Sequence, residues 1–372
     1  MTATRLGSSL VPIERVDVSA YTIPTDLPES DGTIAWKSTT LVVVEATAGG
    51  VRSLGYGYAD AATALLIRDL LAGIVVGRDA MAVPGSWHAM VHAIRNLGRP
   101  GICSMAIAAV DNSLWDLKAR LLGVPLVTLL GPVRDSIPAY GSGGFTSYTL
   151  AQLSKQFAGW VHEGIKMVKM KIGRDPADDV DRVRVARDAI GPHVKLFVDA
   201  NGAYTCKQAL ALARAFTQFN VSWFEEPVVA SDLEGLHLIR NRAPAGMEIA
   251  AGEYGYDLDY FRRMLEAGAV DVLQADATRC AGITGFMQVG ALCQARSLAL
   301  SAHTAPSLHA HPCCALGPAI HVEYFHDHAR IEHMLFDGAL TPIDGALYPD
   351  RSRPGLGLEL KRQDAARYAV SF

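Results

Sequence analysis

Two lysines on one face of a short apolar strand are the first residues of this sequence that could do chemistry. In VKMKIG (168–173), apolar residues alternate with Lys169 and Lys171. Because successive side chains of a strand point to opposite faces, both ammonium groups project from the same face, roughly 7 Å apart. A solvated strand edge is one explanation. The other is a pair of functional cations, one of which acts as a base when its neighbour lowers its pKa.

Three carboxylates end three successive strand-like segments: Asp199 in FVDANG, Glu225 in WFEEP and Glu253 in AAGEYG. One such acid alone would be interpreted as a surface residue. Three that converge on one point repel strongly unless a cation lies between them. Hard carboxylate oxygens suit Mg²⁺, with Mn²⁺ as an alternative, better than zinc, which prefers nitrogen and sulfur. The pattern therefore predicts a divalent-metal site, from which the adjacent Glu226 points away by strand alternation.

A carboxylate and an imidazole end two of the following segments, Asp276 in LQADAT and His303 in LSAHT. A carboxylate beside an imidazole holds its tautomer and raises its basicity. A lysine and a histidine would then face each other across a metal. That arrangement suits removal of a proton α to a carboxylate, because the metal can stabilise the enediolate that forms. One lysine would act as the base and the other would steady the developing charge.

The elements that must position these residues form a repeating series from about residue 136. Strand-like runs alternate with helical stretches roughly every 25 residues, as a (β/α)₈ barrel requires. The eight runs are IPAYGSGG, VKMKIG, KLFVDANG, VSWFEEP, MEIAAGE, DVLQAD, LALSAHT and HVEYF. An open doubly wound sheet would gather its ligands at one switch point, whereas here a polar residue ends every strand. We therefore predict a TIM-type barrel over residues 131–354.

The first 130 residues have mixed α and β character and are predicted to form a separate α+β domain. RVDVSAYTI and TTLVVVEAT indicate strands, whereas PTDLPESDGTIAWKS between them indicates a loop because of its two prolines and its glycine. Helical sequence begins near Ala61. The apolar spacing of residues 105–123 predicts a helix that ends at Gly123.

Composition excludes several classes of protein. Half of the 372 residues are hydrophobic, and the net charge of −4 gives no support for nucleic acid as a partner. The sequence has no apolar run long enough for a membrane span and no signal-peptide pattern. The six cysteines lack disulfide or zinc spacing, which favours a cytoplasmic protein. The histidines and cysteines of residues 307–333 are interpreted as packing or surface residues.

Together these motifs resemble the enolase superfamily, in its mandelate racemase subgroup, over nearly the whole chain. The resemblance implies a (β/α)₈ barrel with an N-terminal α+β capping domain that residues 355–372 complete. It implies that the three carboxylates bind Mg²⁺, that Lys171 is the base on one face, and that His303 with Asp276 is the acid or base on the other. The residues that carry it lie in VKMKIG, VDANG, WFEEP, AGE, QADAT and SAHT.

The resemblance also implies contacts with a substrate. Lys169 would bind the substrate carboxylate, and Glu323, in HVEYF, would hydrogen-bond its opposite oxygen. Asn201 and Ser142 match substrate-contacting positions. Two mobile loops, residues 24–37 and 52–59, would close over the barrel mouth and exclude water. Their notable side chains are Glu29, Asp31, Trp36, Lys37 and Tyr56.

The expected reaction is dehydration of an acid sugar, an aldonate or aldarate, to a 2-keto-3-deoxy acid. The polar lid favours such a polyhydroxylated substrate, although polar residues also keep an exposed loop soluble. The same residues would serve a racemase, epimerase or cycloisomerase of a 2-hydroxy acid or related carboxylate. A remote alternative is a metal-stabilised barrel without catalysis. The expected partner is a small-molecule carboxylate, and the subgroup implies a homo-oligomer, from dimer to octamer.

Overall fold

The computed structural model describes residues 10–372 of the chain. A sheet at the start of the chain contains four antiparallel strands: β1 (Arg15–Ser30), β2 (Ala35–Ala48), β3 (Val51–Arg52) and β4 (Gly55–Tyr58). β1 and β2 form a long hairpin, and both β3 and β4 pair with β2. The segments predicted as strands, residues 15–23 and 39–47, lie inside β1 and β2, so both predictions are confirmed.

Helices pack on this sheet through a shared apolar core. They are α1 (Ala62–Leu66), α2 (Ala72–Val75), α3 (Val83–Ala93) and α4 (Ile102–Leu121). A π-helical turn, Ile67–Leu71, joins α1 to α2. The helix predicted over residues 105–123 is α4, and Gly123 follows its end at a φ of +67°, a conformation that favours glycine.

Eight parallel strands then form a barrel, which closes because the last strand pairs with the first. They are β5 (Ile137–Gly143), β6 (Met167–Lys171), β7 (Lys195–Asp199), β8 (Val221–Glu225), β9 (Glu248–Ala251), β10 (Val272–Ala275), β11 (Ala299–Ala302) and β12 (Ala319–Phe325). Each coincides with one of the eight predicted runs, although β6 begins one residue and β12 two residues before its run. The predicted fold class, a TIM-type barrel with an N-terminal α+β domain, is confirmed.

A short helix, α5 (Leu126–Leu130), leads into the barrel, and a helix follows each barrel strand. Those eight are α6 (Leu150–His162), α7 (Asp179–Ile190), α8 (Cys206–Phe216), α9 (Leu233–Arg242), α10 (Leu258–Glu266), α11 (Gly282–Ala295), α12 (Pro306–Ala315) and α13 (His326–Leu335). α6 and α8 begin with reciprocal capping boxes, Thr149 with Gln152 and Thr205 with Gln208, so the sequence itself marks where these helices start.

The chain returns to the N-terminal sheet after the barrel. The elements after the barrel are β13 (Phe336–Asp337), β14 (Ala346–Leu347), β15 (Glu359–Leu360), α14 (Arg362–Ala366) and β16 (Ala369–Val370). A 3₁₀ turn (Thr217–Phe219) also follows α8 inside the barrel domain. β16 pairs antiparallel with β1. Among the described residues, no helix is both long and apolar enough to cross a membrane. All six cysteines are free.

The two segments predicted as lid loops are largely strand, so that prediction is wrong in its secondary structure. Within residues 24–37, β1 continues to Ser30 and β2 begins at Ala35, which leaves only a four-residue turn. The ladder shifts register between Pro24 and Glu29. This bulge accommodates the prolines, which would break a regular ladder. Residues 52–59 contain β4, which is entirely buried.

A buried carboxylate on α4 joins three separate parts of the chain. Asp116 accepts hydrogen bonds from the backbone N–H groups of Leu54 at 2.7 Å and of Leu356 at 2.6 Å. Its charged partner is Arg120, whose Nε also lies at 2.6 Å. Asp116 is fully buried, so the two backbone N–H groups lose their acceptor if the carboxylate is removed.

We expect Asp116→Ala to lower the free energy of unfolding by about 3–5 kcal/mol, because two buried backbone N–H groups lose their acceptor and Arg120 loses its buried partner, keeping only Glu359 at the surface. Urea unfolding followed by circular dichroism measures this change. The control is Asp364→Ala, which breaks an exposed ion pair with Arg367 and should cost less than about 1 kcal/mol. Equal losses in the two variants would contradict the structural role of Asp116.

Candidate active site

The interior of the barrel is apolar at one end and charged at the other. Tyr140, Phe197 and Trp223 form a buried aromatic cluster inside the strands. Two residues further along β7 and β8, the same inward face carries Asp199 and Glu225. Period-two alternation therefore places the carboxylates directly above the aromatic cluster, at the C-terminal ends of the strands where barrel active sites form.

Asp199, Glu225 and Glu253 converge as the sequence predicts. Each offers a carboxylate oxygen, and these oxygens lie within 4.8 Å of one another. All three residues are buried, and Oε2 of Glu253 accepts no hydrogen bond. Burial raises the pKa of Glu225 well above its usual value, and the charge of Asp199 raises it further. A cluster of oxygen ligands that needs more positive charge fits Mg²⁺.

The two lysines already supply part of that charge. Nζ of Lys171 lies 2.5 Å from Oδ2 of Asp199, and Nζ of Lys169 lies 2.6 Å from Oε1 of Glu225. Burial would raise the pKa of Asp199, but the two ammonium groups outweigh it and lower that pKa below its usual value. Both lysines therefore point into the barrel, and the alternative of a solvated strand edge is excluded.

The expectation that Lys171 has a lowered pKa is not met in this arrangement. Burial lowers its pKa, but the adjacent Asp199 raises it more, so that the net pKa lies above the usual value. The physical reason is the 2.5 Å contact with Asp199, a distance that the sequence does not contain. A cation bound to Asp199 would compete with Lys171 for this carboxylate and lower the lysine pKa.

His303 and Asp276 form the predicted pair. Nδ1 of His303 lies 2.9 Å from Oδ2 of Asp276, and Nε2 points to the carboxylate cluster, 3.2 Å from Oε2 of Glu253. Burial would raise the pKa of Asp276, but its hydrogen bond to His303 and the charge of His303 lower it below the usual value. Asp276 therefore stays ionised and orients the imidazole with Nε2 toward the cluster.

Lys171 and His303 open into the same cavity, of about 370 Å³. Glu253 and Asn201 also line it, and Asn201 has a buried side-chain oxygen without a partner. The end of the β1–β2 hairpin, here called the lid hairpin (residues 24–38), contributes Asp31 and Trp36. These predicted residues are brought together at one site.

Three predicted residues lie beneath the cavity instead of lining it. Lys169 is fully buried between Glu225 and Glu323, with Nζ 2.9 Å from Oε1 of Glu323. Ser142 is also fully buried, on β5. Glu323 accepts a hydrogen bond at 3.1 Å from the backbone N–H of Thr304, beside the imidazole. Direct contact of these side chains with a substrate stays a prediction.

The structure corrects three predicted placements. Lys37 is exposed and does not line the cavity, because alternation along β2 turns Trp36 inward and Lys37 outward. Tyr56 is fully buried, and its hydroxyl donates a 2.7 Å hydrogen bond to Glu332 on α13. Strand alternation does not set the direction of Glu226, because β8 ends at Glu225 and the φ of Glu226 is +38°. Burial and then the charge of nearby Glu253 raise the pKa of Glu226.

Sequence reasoning missed several side chains of the cavity, among them Tyr58, Tyr254, Arg279 and His328. Tyr58 lies two residues beyond Tyr56 on the same face of β4 and stacks on His328. His328 belongs to the histidine-rich stretch interpreted as packing or surface. The guanidinium of Arg279 lies near Glu253, with Nη1 to Oε1 at 3.4 Å. Its place three residues after Asp276, at the end of a barrel strand, was the available signal.

Fold and site together define a carboxylate-rich TIM-barrel enzyme site with a lysine and a histidine on opposite sides. Two family models match the chain: "Mandelate racemase / muconate lactonizing enzyme, N-terminal domain" over residues 17–131 and "Enolase C-terminal domain-like" over residues 152–365. The chain therefore belongs to the mandelate racemase and muconate lactonizing enzyme family of the enolase superfamily.

Three similar proteins show the range of that family. A 3,6-anhydro-α-L-galactonate cycloisomerase of Streptomyces coelicolor is 33% identical, over 96% of this chain and 99% of its own. A mandelate racemase/muconate lactonizing enzyme-like protein from Rubrobacter xylanophilus is 54% identical, with a TM-score of 0.95 and coverage of 96% and 100%. The L-talarate/galactarate dehydratase of Salmonella typhimurium, liganded with Mg and L-lyxarohydroxamate, is 29% identical, with a TM-score of 0.90 and coverage of 100% and 96%.

We expect Tyr56→Phe to lower the free energy of unfolding by about 1–3 kcal/mol, because Oε1 of Glu332 is left buried without its donor. We expect kcat/KM to stay within about twofold. Urea unfolding and steady-state kinetics measure the two effects. Tyr348→Phe, at an exposed tyrosine, is the control. A large rise in KM with unchanged stability would restore Tyr56 as a substrate contact.

The tip of the lid hairpin rests on the barrel at a position that admits only glycine. A Cβ atom on Gly32 would lie 2.6 Å from the backbone oxygens of Ile172 and Ala200. We expect Gly32→Ala to displace the lid and lower kcat/KM by about ten- to a hundredfold, as measured by steady-state kinetics. Gly85→Ala, where the added Cβ meets no atom within 4 Å, should leave kcat/KM unchanged. Unchanged kinetics in Gly32→Ala would show that the lid tolerates the shift.

Proposed function

We propose that this protein is a Mg²⁺-dependent enzyme that removes the α proton of an acid sugar and dehydrates it to a 2-keto-3-deoxy acid. The observation that carries the proposal is the placement of Lys171 and His303. One contacts Asp199 and the other approaches Glu253, so they stand on opposite sides of the carboxylate cluster, and both line the same cavity. A carboxylate substrate bound at the cluster would have one of them on each face.

The residues of the chain divide the work as follows. Loss of the contact with Asp199 would lower the pKa of Lys171, so that its ammonium releases a proton to solvent and the neutral Nζ then takes the α proton. His303, held by Asp276 through Nδ1, presents Nε2 to the opposite face. Asp199, Glu225 and Glu253 would hold Mg²⁺, which supplies positive charge to the substrate carboxylate as negative charge develops on it. Lys169, buried between two carboxylates, adds a fixed positive charge beneath the cavity.

Dehydration then needs one further proton transfer. The α C–H bond breaks with its proton on Lys171, and the β C–O bond breaks as His303 protonates the departing hydroxyl, which leaves as water. The enol that remains becomes the 2-keto-3-deoxy acid by tautomerisation. Hydroxyl and carboxylate side chains of the cavity, among them Ser38, Thr40 and Asp60, support a polyhydroxylated substrate. The dehydratase among the similar proteins supports the same reaction.

A second candidate is an isomerase acting through the same first step. The 3,6-anhydro-α-L-galactonate cycloisomerase of Streptomyces coelicolor, 33% identical over nearly its whole length, favours it. In a racemase or epimerase, His303 would deliver its proton to the α carbon from the opposite face. In a cycloisomerase that opens a ring, it would protonate the ring oxygen as the β C–O bond breaks. The two candidates share every residue named above and differ in the fate of one proton.

Finer aspects of this assignment are also proposals. We propose that Mn²⁺ can replace Mg²⁺, because the ligands are carboxylate oxygens that suit both ions. We propose a homo-oligomer, from dimer to octamer, on the basis of the family. The six free cysteines support a cytoplasmic location.

Proton NMR in D₂O with Mg²⁺, across a panel of acid sugars and simple 2-hydroxy acids, tests the proposal. We expect loss of an α proton and the appearance of a 2-keto-3-deoxy acid from one or a few substrates. Deuterium at the α carbon without a keto product would establish the isomerase instead. No exchange and no product across the panel would contradict α-proton removal from these substrates.

Lys171→Ala should reduce turnover and α-proton exchange by about 10³-fold or more, because a general base is lost. The matched control is Lys166→Ala, which removes an exposed lysine on the approach to the same strand and should leave both unchanged. Circular dichroism confirms that each variant is folded. Full activity in folded Lys171→Ala would refute the assignment of the base.

A further inference from the structure

A second group of metal-ligating side chains lies where the lid hairpin meets the barrel. Asp26, Glu29 and His326 each offer a ligand atom, and these atoms lie within 4.8 Å of one another. Nε2 of His326 is 3.0 Å from Oδ2 of Asp26. Asp26 lies in the bulge of β1 and His326 is the first residue of α13, so the group spans the capping domain and the barrel.

Glu29 makes this group more than an exposed ion pair. Its side chain is only 1% exposed, and its Oε2 accepts a 2.8 Å hydrogen bond from Nε1 of Trp36. Its Oε1 is buried and has no hydrogen-bond partner. Buried carboxylate oxygens are normally paired, so an unpaired one needs an explanation. A bound cation is one.

The charges around Glu29 support that explanation. Asp327 and Asp26 place two further carboxylates near Glu29. The nearby cation, Arg330, is already paired with Asp327. The group of Asp26, Glu29 and His326 therefore carries an excess of carboxylates, which a bound cation would offset.

We propose that Asp26, Glu29 and His326 form a second metal site, which takes a divalent transition-metal ion such as Zn²⁺. One imidazole nitrogen and two carboxylate oxygens are a common ligand set for Zn²⁺ and are poorly suited to Mg²⁺, which prefers oxygen alone. Asp26 and His326 also line a cavity of about 530 Å³, which gives the ion and its water ligands access.

The site fastens the lid hairpin to the barrel. Two ligands lie on β1 and one on α13, and Glu29 holds the indole of Trp36, which lines the active-site cavity. An ion bound here would therefore hold the lid hairpin against the barrel. The inference shares no residue with the Mg²⁺ cluster, so it stands even if the proposed reaction is wrong.

Equilibrium dialysis of Zn²⁺ against the full chain in excess Mg²⁺, with metal analysis, tests the proposal. We expect wild type to bind one Zn²⁺ per chain at this site. We expect His326→Ala and Asp26→Asn to bind Zn²⁺ there at least about tenfold more weakly. The control is His162→Ala, at an exposed histidine of α6, which should bind as wild type does. Asp199→Asn, in the Mg²⁺ cluster, should also keep this Zn²⁺, which separates the second site from the first.

Two results would overturn the inference. One is that wild type binds no Zn²⁺, or binds only Zn²⁺ that Asp199→Asn loses. The other is equal Zn²⁺ binding by wild type, His326→Ala and Asp26→Asn, which would leave only an ion pair. Both substituted side chains are partly exposed, at 24% and 43%, so we expect folded variants; circular dichroism checks this, and either variant alone decides the question.

Discussion

The balance of buried charge at the barrel mouth is the constraint on which the rest of the structure depends. The carboxylates of residues 199, 225, 253 and 323 lie within the barrel, and the permanent cations that contact them are Lys169, Lys171 and Arg279. Ions removed from water are costly unless opposite charges meet them at close range. The strands must therefore hold Lys169 and Lys171 against specific oxygens. A divalent cation would offset the negative charge that remains.

Much of this site is predictable because the barrel arranges the ends of successive strands in a ring, so that the order of residues in the sequence gives their order around the site. Alternation along a strand decides which side chains point inward, and the end of the strand decides their height. Lys171, Asp199 and Glu225 pair across three neighbouring strands, so their convergence follows from local sequence. The pairing of His303 with Asp276 follows in the same way, because each comes directly after one of two neighbouring strands whose last residues, Ala275 and Ala302, are paired.

The lid was predicted less well, because its geometry depends on contacts between distant segments. Prolines and a glycine indicated a loop, whereas pairing with β2 keeps residues 24–38 in a bulged hairpin. Tyr56 and Tyr58 share a face of β4, and only the position of α13 decides that the first meets Glu332 and the second meets the cavity. The pKa of Lys171 is a similar case, because its direction depends on one interatomic distance.

The pairing of β16 with β1 affects how the molecule is made. Ala20 lies opposite Val370, so the ribosome must synthesise the whole barrel between the two halves of this contact. During that time one edge of β1 has no neighbour, and an open strand edge invites pairing with other chains. Because β1 also carries the lid hairpin, the segment that lines the active-site cavity from the N-terminal domain acquires its full support last. Contacts so distant in sequence form slowly, and maturation of the lid is expected to lag behind that of the barrel.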